Sequence, residues 1–383
     1  TNENVVVRNS LNKNRLTPLP EGTFISLIGK RGSDFKYKAG SIIGSISEND
    51  VLVLPPGSAI EEIFPVGRVD NATIISEPDK VLLKIPMSAR LPFHIEQATE
   101  ADMSLKILGA KATGKLISSS GADKFLKEVK WAQNEDDTVQ IDIKTAEKHF
   151  WGYNYYYEDD NTLVLELKKP PKIDANKPLK GITICIDPGH GGKEKGSVGP
   201  TGVPEKDINL GISLALRDKL VSKGANVILT RADDRDTEIY SRVDYAVDNN
   251  AVILLSIHNN ALPDGKDPYK DHGTASYYYH PQSLPLTKVL QEAMLEDLKF
   301  NDHGIYRESF VLTRPPQLLA VLLEVGFMIH PDEYALLTQP EFQTKAANSI
   351  ARGLEFFLFK TAIGNVEPAK SAASNTGKMQ VKK

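Results

Sequence analysis

Three short apolar runs in the second half of the chain are the feature that most constrains its fold. Each run is rich in β-branched and aliphatic residues, and each leads into a polar residue whose side chain could bind a ligand or transfer a proton. The runs and these residues are 182–186 before His190, 252–257 before His258, and 318–323 before Glu324. Continuous apolar runs of this length predict buried parallel strands. Parallel strands of an open α/β sheet end at a common edge, where ligands bind, so we expect the three side chains to converge there.

A fourth residue, Glu205, is expected to reach the same edge from a helix. After it, apolar residues recur at every fourth position and predict one buried helical face. These residues are Ile208, Ile212, Leu216 and Leu220. Gly224 is a typical stop signal for such a helix. Pro204 and Glu205 therefore stand at the predicted helix start, facing the strand ends.

These residue types suit metal-assisted hydrolysis. Two imidazoles and one carboxylate can hold a zinc ion, leave one coordination position open for water, and allow the metal to lower the pKa of that water to about 7. Amide cleavage also needs a proton for the departing nitrogen, and a carboxylic acid not bound to the metal can deliver it. We therefore expect His190, Glu205 and His258 to bind Zn²⁺ and Glu324 to move the proton.

Each of these residues also has a plainer interpretation when it is taken alone. His190 could be a hydrogen-bonded structural residue at a strand end. Glu205 could be an acid that complements the helix dipole, a description that fits Asp207 as well. Glu324 could be half of a buried ion pair. The metal hypothesis depends on the coincidence of all four residues at one predicted edge.

Six motifs between residues 180 and 360 make this half of the chain resemble a known family. In chain order they are IDPGHGG at 186–192, PEKDINL at 204–210, LTR at 229–231, Arg242 with Ala246 and Asn249, SIHNNA at 256–261, and LLEVGF at 322–327. In this order and spacing they resemble the zinc-dependent N-acetylmuramoyl-L-alanine amidases of the amidase-3 type. The resemblance covers roughly half of the chain.

The resemblance implies a fold, a substrate and roles for individual residues. The fold is an α/β domain whose mostly parallel central sheet is flanked by helices. The substrate is peptidoglycan, and the reaction hydrolyses the amide between the lactyl group of N-acetylmuramic acid and L-alanine of the stem peptide. His190, Glu205 and His258 correspond to the zinc ligands, and Glu324 corresponds to the catalytic acid/base.

Two departures from the family pattern carry predictions of their own. Some relatives have a long helical insertion that plugs the site, but residues 262–273 are too few and too polar for one, so we expect an unplugged site. His330 stands where similar proteins often carry Asn, and we expect it to be a local capping or surface residue. Arg231, Asn259 and Asn260 are expected to build the site wall or brace loops, with Asn260 contacting substrate.

The first half of the chain is expected to be all-β. Alternating apolar and polar residues at 139–143 and 163–167 are typical of half-buried antiparallel strands. The predicted domains are an SH3-like domain at 1–85, a β-sandwich-like targeting domain at 86–170, a proline-containing linker at 171–179, the catalytic domain at 180–362, and a disordered tail at 363–383.

An aromatic run at residues 150–157 is the most unusual stretch of this first half. Alternation places Trp151, Tyr153, Tyr155 and Tyr157 on one face of a strand. We favour the interpretation that these rings fill a sandwich core. The alternative is that they are exposed and stack on sugars.

Composition excludes several classes of function. The net charge of −4 provides no basic surface for nucleic acid. The sequence contains no run of eighteen apolar residues, so no membrane-spanning helix is predicted. Cys185 is the single cysteine, so no internal disulfide can form, and a buried apolar role is expected. We predict a monomeric protein exported to the bacterial cell envelope, with the signal sequence already absent from this chain.

Three other functions compete with the amidase hypothesis. A zinc peptidase acting within the stem peptide would use the same ligand types, although the chain lacks a His-Glu-x-x-His motif. A non-catalytic wall-binding protein on the same scaffold would be expected to have lost ligands. A serine hydrolase would need a Gly-x-Ser-x-Gly turn, which the sequence does not contain.

Overall fold

The fold is given by a computed structural model of the chain. It describes residues 1, 5–12, 14–55, 66–114, 117–119, 124–135, 137–146, 150–263 and 265–364. The predicted tail at 363–383 lies almost wholly outside these residues. The chain forms two compact units, Thr1–Pro171 and Lys172–Lys383.

The described part of the N-terminal unit is built from strands and one 3₁₀ turn, η1 (Glu48–Asp50). The strands are β1 (Arg8–Asn9), β2 (Ser26–Arg31), β3 (Asp34–Ala39), β4 (Ile42–Ser47), β5 (Gly67–Val69), β6 (Ala72–Ser76), β7 (Lys80–Ile85), β8 (Phe93–Gln97), β9 (Asp102–Leu108), β10 (Ala110–Ala112), β11 (Ile117–Ser119), β12 (Leu126–Asn134), β13 (Thr138–Thr145), β14 (Tyr153–Tyr157) and β15 (Leu163–Lys168). The all-β prediction is confirmed for this part of the chain.

These strands form four sheets and two main hydrophobic cores. The sheets have the orders β1-β4-β3-β2, β10-β5, β11-β6-β7-β15-β14 and β12-β13-β9-β8. The last two sheets share the larger core, in which Leu83 and Leu165 of one sheet meet Leu105 and Ile141 of the other. The smaller core includes Tyr37 and lies against the first sheet.

The structure corrects the predicted domain boundary after residue 85. β7, which ends at Ile85, pairs along its whole length with β15, and β6 pairs with β7. Strands on both sides of that boundary therefore belong to one sheet. Separating them would expose the apolar face that the sheet buries in the larger core, so the boundary cannot lie there.

The aromatic run fills the core, as the favoured interpretation predicted. Trp151 is 1% exposed and Tyr153 is 4% exposed. Tyr155 and Tyr157 pack against the larger core, and both rings meet the ring of Phe93 edge to face. The face of alternating rings is therefore occupied by protein and is not free to stack on sugars.

The C-terminal unit combines one six-stranded sheet with helices. Its strands are β16 (Thr183–Pro188), β17 (Asn226–Leu229), β18 (Ile253–Asn260), β19 (Thr274–Tyr278), β20 (Asp302–Arg307) and β21 (Leu319–Phe327). Its helices are α1 (Glu205–Ser222), α2 (Ile239–Asp248), α3 (Leu284–Leu298), α4 (Pro331–Leu337) and α5 (Pro340–Ala362), with 3₁₀ turns η2 (Pro281–Ser283) and η3 (Val311–Thr313).

The sheet of this unit is mixed, with the order β17-β16-β18-β21-β19-β20. The pairs β17–β16, β16–β18, β18–β21 and β19–β20 are parallel, whereas β19 runs antiparallel to β21. The expected α/β domain with flanking helices is present. The mostly parallel sheet that was predicted is not matched: β19 and β20 run opposite to the other four strands, and the direction changes at the β21–β19 junction, beside Glu324.

Helices cover the sheet through the apolar residues that the sequence singled out. Ile208, Ile212, Leu216 and Leu220 of α1 are each at most 1% exposed, which confirms the predicted helical face. Helix α5 packs against both α1 and α3. Within the described residues, no helix is both long and apolar enough to span a membrane.

A second apolar cluster fixes the central strands against α2. Cys185 of β16, Leu254 of β18 and Ala320 of β21 are register partners and pack with Ala246 of α2. Cys185 is fully buried, as expected for a small apolar residue. Because β16, β18 and β21 are parallel and held in register, their carboxyl ends meet at one edge.

Candidate active site

Glu205 lies at the centre of a cluster formed by two imidazoles. It is the first residue of α1 and is 3% exposed. Its Oε2 is 3.2 Å from His190 Nε2, and its Oε1 is 3.0 Å from His258 Nδ1. One ligand atom from each of the three residues lies within 4.8 Å of the others. The two strand ends and the helix start that the sequence singled out are therefore brought together.

His190 is held in an unusual backbone conformation just after β16. Its φ angle is 60°, a left-handed value that few residues other than glycine adopt. Arg242 Nη2 donates to the His190 carbonyl oxygen at 2.8 Å and secures this turn. A Cβ atom on the preceding residue, Gly189, would lie 2.3 Å from the ring of His258. Glycine at this position is what allows the two imidazoles to approach each other.

A buried carboxylate beneath the site ties the loop to the sheet. Asp187, at the end of β16, is fully buried. Its Oδ1 accepts hydrogen bonds from Arg242 Nη1 at 2.9 Å and Thr230 Oγ1 at 2.5 Å, and its Oδ2 accepts one from Ser256 Oγ at 2.7 Å. This network fixes the strand end from which His190 projects.

Glu205 accepts more hydrogen bonds than those of the imidazoles. Asn209 Nδ2 and the Asn259 backbone N–H donate to its Oε1 at 3.0 and 3.1 Å, and the Ser197 backbone N–H donates to its Oε2 at 2.9 Å. Burial would raise the pKa of Glu205, but hydrogen bonds from His190 and His258 hold it below its ordinary value. The carboxylate is therefore ionised and oriented.

Glu324 lies in β21, directly across from His258 in the strand register. Its Oε2 is buried and has no hydrogen-bond partner among the described residues. Burial, together with the negative charge of Glu205, raises the pKa of Glu324 well above its ordinary value. The pKa values of the two carboxyl groups are thus shifted in opposite directions, a pattern typical of a pair with separate ligand and proton-transfer roles.

Asn260 and Tyr277 form the side of the site next to Glu324. The side chains of Asn260 and Glu324 both lie close enough to the Tyr277 phenol to shift its pKa. Burial, and to a smaller extent Glu324, raises the pKa of the Tyr277 phenol. Ala275 is the register partner of Glu324, and Tyr277 lies two residues further along the same face of β19.

Several residues that support the site were not recognised in the sequence. Asn209 is fully buried, donates to Glu205 and accepts from Asn259 Nδ2 at 2.8 Å. Its position four residues after Glu205, on the same helical face, is the signal that could have revealed it. No comparable sequence signal identifies Tyr277, because its proximity depends on antiparallel pairing of β19 with β21.

Arg231 braces the loop that carries His190. It is fully buried. Its guanidinium donates to the carbonyl oxygens of Pro188, Gly189 and Lys206 at 2.8–2.9 Å. These bonds link the end of β16 to the first turn of α1. Arg231 therefore stabilises the backbone of this loop through hydrogen bonds to its carbonyl oxygens.

Comparison with known proteins identifies the family. The model of the N-acetylmuramoyl-L-alanine amidase family matches residues 184–355. The germination-specific N-acetylmuramoyl-L-alanine amidase of Bacillus subtilis (strain 168) is 36% identical over 199 residues, which are 46% of this chain and 80% of that protein. This chain belongs to the N-acetylmuramoyl-L-alanine amidase family. It is an amidase whose four candidate residues all lie within the matched segment.

Two further similarities each involve about half of this amidase. The uncharacterised protein YqiI of B. subtilis (strain 168) is 35% identical over 196 residues, which are 50% of this chain and 93% of that protein. A solved structure, the N-acetylmuramoyl-L-alanine amidase AmiC2 of Nostoc punctiforme, is 31% identical with a TM-score of 0.45, and the match covers 47% of this chain and 98% of that chain.

Proposed function

We propose that this amidase is a zinc-dependent peptidoglycan hydrolase that cleaves the amide between the lactyl group of N-acetylmuramic acid and L-alanine of the stem peptide. The observation that carries the proposal is the His190–Glu205–His258 cluster, with the partnerless carboxyl oxygen of Glu324 nearby. The name of the B. subtilis germination-specific relative supports the choice of bond.

The residues present fit a zinc ion. Two imidazole nitrogens and a carboxylate oxygen are a donor set that zinc enzymes use, with a further position left for water or substrate. Both Glu205 oxygens contact imidazole nitrogens, as expected of ligands grouped around one cation. Asn209 and Ser197 hold the carboxylate as supporting partners of metal ligands do. A bound zinc ion would polarise the carbonyl group and make a water molecule acidic.

Glu324 is proposed as the group that moves the proton. Hydrolysis consumes one water molecule: its oxygen bonds to the lactyl carbonyl carbon, and the carbon–nitrogen bond to L-alanine breaks. The Oε2 atom of Glu324 is free to take a proton from the water and deliver it to the departing nitrogen. The raised pKa of Glu324 favours the protonated state that donates in the second step.

Asn260 and Tyr277 are proposed to hold the substrate beside Glu324. Asn260 is half-buried and can present an amide group to the cleft. The Tyr277 phenol, which lies beside Asn260, would orient that amide. Hydrogen bonds of this kind position the scissile bond and contribute through orientation, not through bond making.

The location and the N-terminal unit complete the proposal. Relatives include proteins named as probable cell wall amidases of Staphylococcus aureus. We place this amidase outside the cytoplasm, acting as a monomer in the cell envelope. The N-terminal unit, which lies outside the residues matched by the family model, would hold the catalytic domain on the wall.

The test is product analysis of purified sacculi digested by the full chain with zinc, with a chelator, and with Glu324→Ala. Mass spectrometry should find peptides that begin with intact L-alanine, formed with zinc and absent in the other two digests. Peptides that begin at a later stem residue would instead indicate a peptidase. Binding to sacculi without soluble products would indicate a wall-binding protein.

A further inference from the structure

A second group of two imidazoles and a carboxylate lies apart from the candidate active site. It consists of His272 in the loop before β19, His330 at the start of α4, and Glu333 within α4. One ligand atom of each lies within 4.8 Å of the others, and within the described residues only this group and the one around Glu205 meet that condition. Glu333 is 2% exposed and His330 is 4% exposed. We propose that these three residues bind a second divalent transition-metal ion, with Zn²⁺ as the expected occupant.

Glu333 is fixed in a position that leaves one oxygen for a ligand role. Its Oε2 accepts a hydrogen bond from the Phe327 backbone N–H at 2.7 Å. Its Oε1 is 2.6 Å from His272 Nδ1. On the other side of that ring, Asn301 Nδ2 donates to His272 Nε2 at 3.0 Å. The imidazole is therefore oriented from its far nitrogen, as metal-binding histidines commonly are.

His330 brings a second nitrogen to Glu333. Its Nδ1 accepts a hydrogen bond from the Glu333 backbone N–H at 3.2 Å, so the predicted capping role is confirmed, although the side chain is buried. Asn would cap the helix equally well, so capping alone does not explain an imidazole here. The ring stacks on that of His272 with centroids 3.9 Å apart and planes inclined by 17°. Nδ1 of His272 therefore contacts the Glu333 carboxylate, and Nδ1 of His330 contacts the Glu333 backbone N–H.

The donor chemistry favours zinc over the hard cations. Imidazole nitrogens suit zinc and its neighbours in the first transition row, whereas Mg²⁺ and Ca²⁺ prefer oxygen ligands. A metal ion would replace the proton between His272 Nδ1 and Glu333 Oε1. That proton moves to Nε2, where the Asn301 amide oxygen accepts it once the amide turns over. At His330 the ion would bind the Nδ1 lone pair, which in this structure accepts the hydrogen bond from the Glu333 backbone N–H.

Such an ion would join two segments that border the candidate active site. His272 lies three residues before Ala275, the register partner of Glu324. His330 and Glu333 lie just after the end of β21, the strand that carries Glu324. A metal bound here would brace β19 against the β21–α4 corner. The inference concerns metal binding alone and does not depend on the proposed peptidoglycan activity.

The test counts zinc ions in the full chain after removal of metal with a chelator. Apoprotein is titrated with ZnCl₂ by calorimetry, and bound zinc is measured by mass spectrometry after dialysis. We expect two equivalents in the wild type, one in His330→Asn, one in His190→Ala, and none in the double variant. Asn keeps the cap of α4 and removes the imidazole, so apo His330→Asn should stay folded and melt in a single cooperative transition.

A thermal readout separates the second site from loose surface binding. In His190→Ala, saturating zinc should raise the melting temperature by at least about 3 °C, because a ligand that binds only the folded state stabilises it. His272→Gln in that background should abolish the rise, and it replaces His330→Asn if that variant fails to fold. One equivalent of zinc in the wild type, with none in His190→Ala and no thermal shift, would overturn the proposal.

Discussion

His258 and Glu324 are register partners on the adjacent parallel strands β18 and β21. Neighbouring strands lie about 4.8 Å apart, and register partners project to the same face of a sheet. The sheet itself therefore sets the separation between the candidate zinc ligand and the candidate proton carrier. Glu205 approaches from the start of α1 and faces one imidazole from each of two strand ends. The proposed roles of the two carboxyl groups, metal ligand for Glu205 and proton carrier for Glu324, follow from this placement.

Removing the carboxyl group of Glu324 should abolish turnover and leave metal binding intact. Glu324→Gln keeps the shape of the side chain but cannot move a proton, and we expect kcat to fall by about 10²- to 10⁴-fold. Zinc content should match the wild type, because Oε2 makes no hydrogen bond to any of the three candidate ligands. Steady-state hydrolysis of soluble muropeptides, with metal analysis of the same sample, provides the measurement. Glu292→Gln, at an exposed position of α3, is the matched control; a fully active, zinc-replete Glu324→Gln would refute the role.

A single methyl group on Gly189 should displace the site. The Cβ of Gly189→Ala would lie 2.3 Å from the His258 ring, so the ring must move by about 1 Å or more. Displacement on this scale can cost about 100-fold in rate. We expect weaker zinc binding by calorimetry and a comparable loss of kcat/KM. Gly29→Ala has nothing within 4 Å of its Cβ and serves as the control. Unchanged zinc affinity in Gly189→Ala would contradict the geometry.

The sequence was sufficient to predict that the candidate residues come together, because three of them lie on or just after parallel strands. Residues that end apolar runs reach one edge when those strands share a direction, and His190, His258 and Glu324 do so. The start of α1 could be predicted from the apolar residues that recur at every fourth position after it. The position of Tyr277 was not predictable, because it depends on β19 pairing antiparallel to β21 across an intervening helix.

The error in the first half of the chain has a physical cause. β7 and β15 pair although almost eighty residues separate them, and no local pattern encodes such a long-range partner. Pro86 follows β7 directly and suggested a boundary, but it ends a strand of the sandwich and not a domain. The group formed by His272, His330 and Glu333 was missed for a similar reason, since the segments that carry it lie far apart in sequence and meet only in the fold.

Loss of the Asp187 charge should destabilise the C-terminal unit strongly. Asp187→Asn leaves the Arg242 guanidinium, which is 5% exposed, without its buried counter-ion. Removing one partner of a buried pair costs about 3–5 kcal/mol. Urea unfolding of the metal-free protein would show this as a lower midpoint. Glu158→Gln breaks the surface pair with Lys84 and should cost no more than about 1 kcal/mol. Equal midpoints for the two variants would show that the buried network is not needed for stability.

His280 should make the C-terminal unit less stable in mild acid. Its Nε2–H donates to the Arg314 carbonyl oxygen at 2.8 Å, and burial lowers the pKa of His280 to about 4. An unfolded histidine titrates near pH 6.5, so between about pH 6.5 and 4 the unfolded chain binds a proton that the folded chain does not. The free energy of unfolding is therefore not reduced by His280 above about pH 6.5. As the pH falls towards about 4, it decreases by at most about 3 kcal/mol.

His280→Gln tests this pH dependence. Gln can still donate to the Arg314 carbonyl oxygen but does not titrate, so the variant should retain the bond and lose the proton linkage. The free energy of unfolding, measured in urea from pH 7 to pH 4 with metal removed, should fall more steeply for the wild type than for the variant. The difference between the two slopes corresponds to at most one proton. Parallel profiles would mean that His280 titrates normally in the folded protein and that its burial imposes no acid sensitivity.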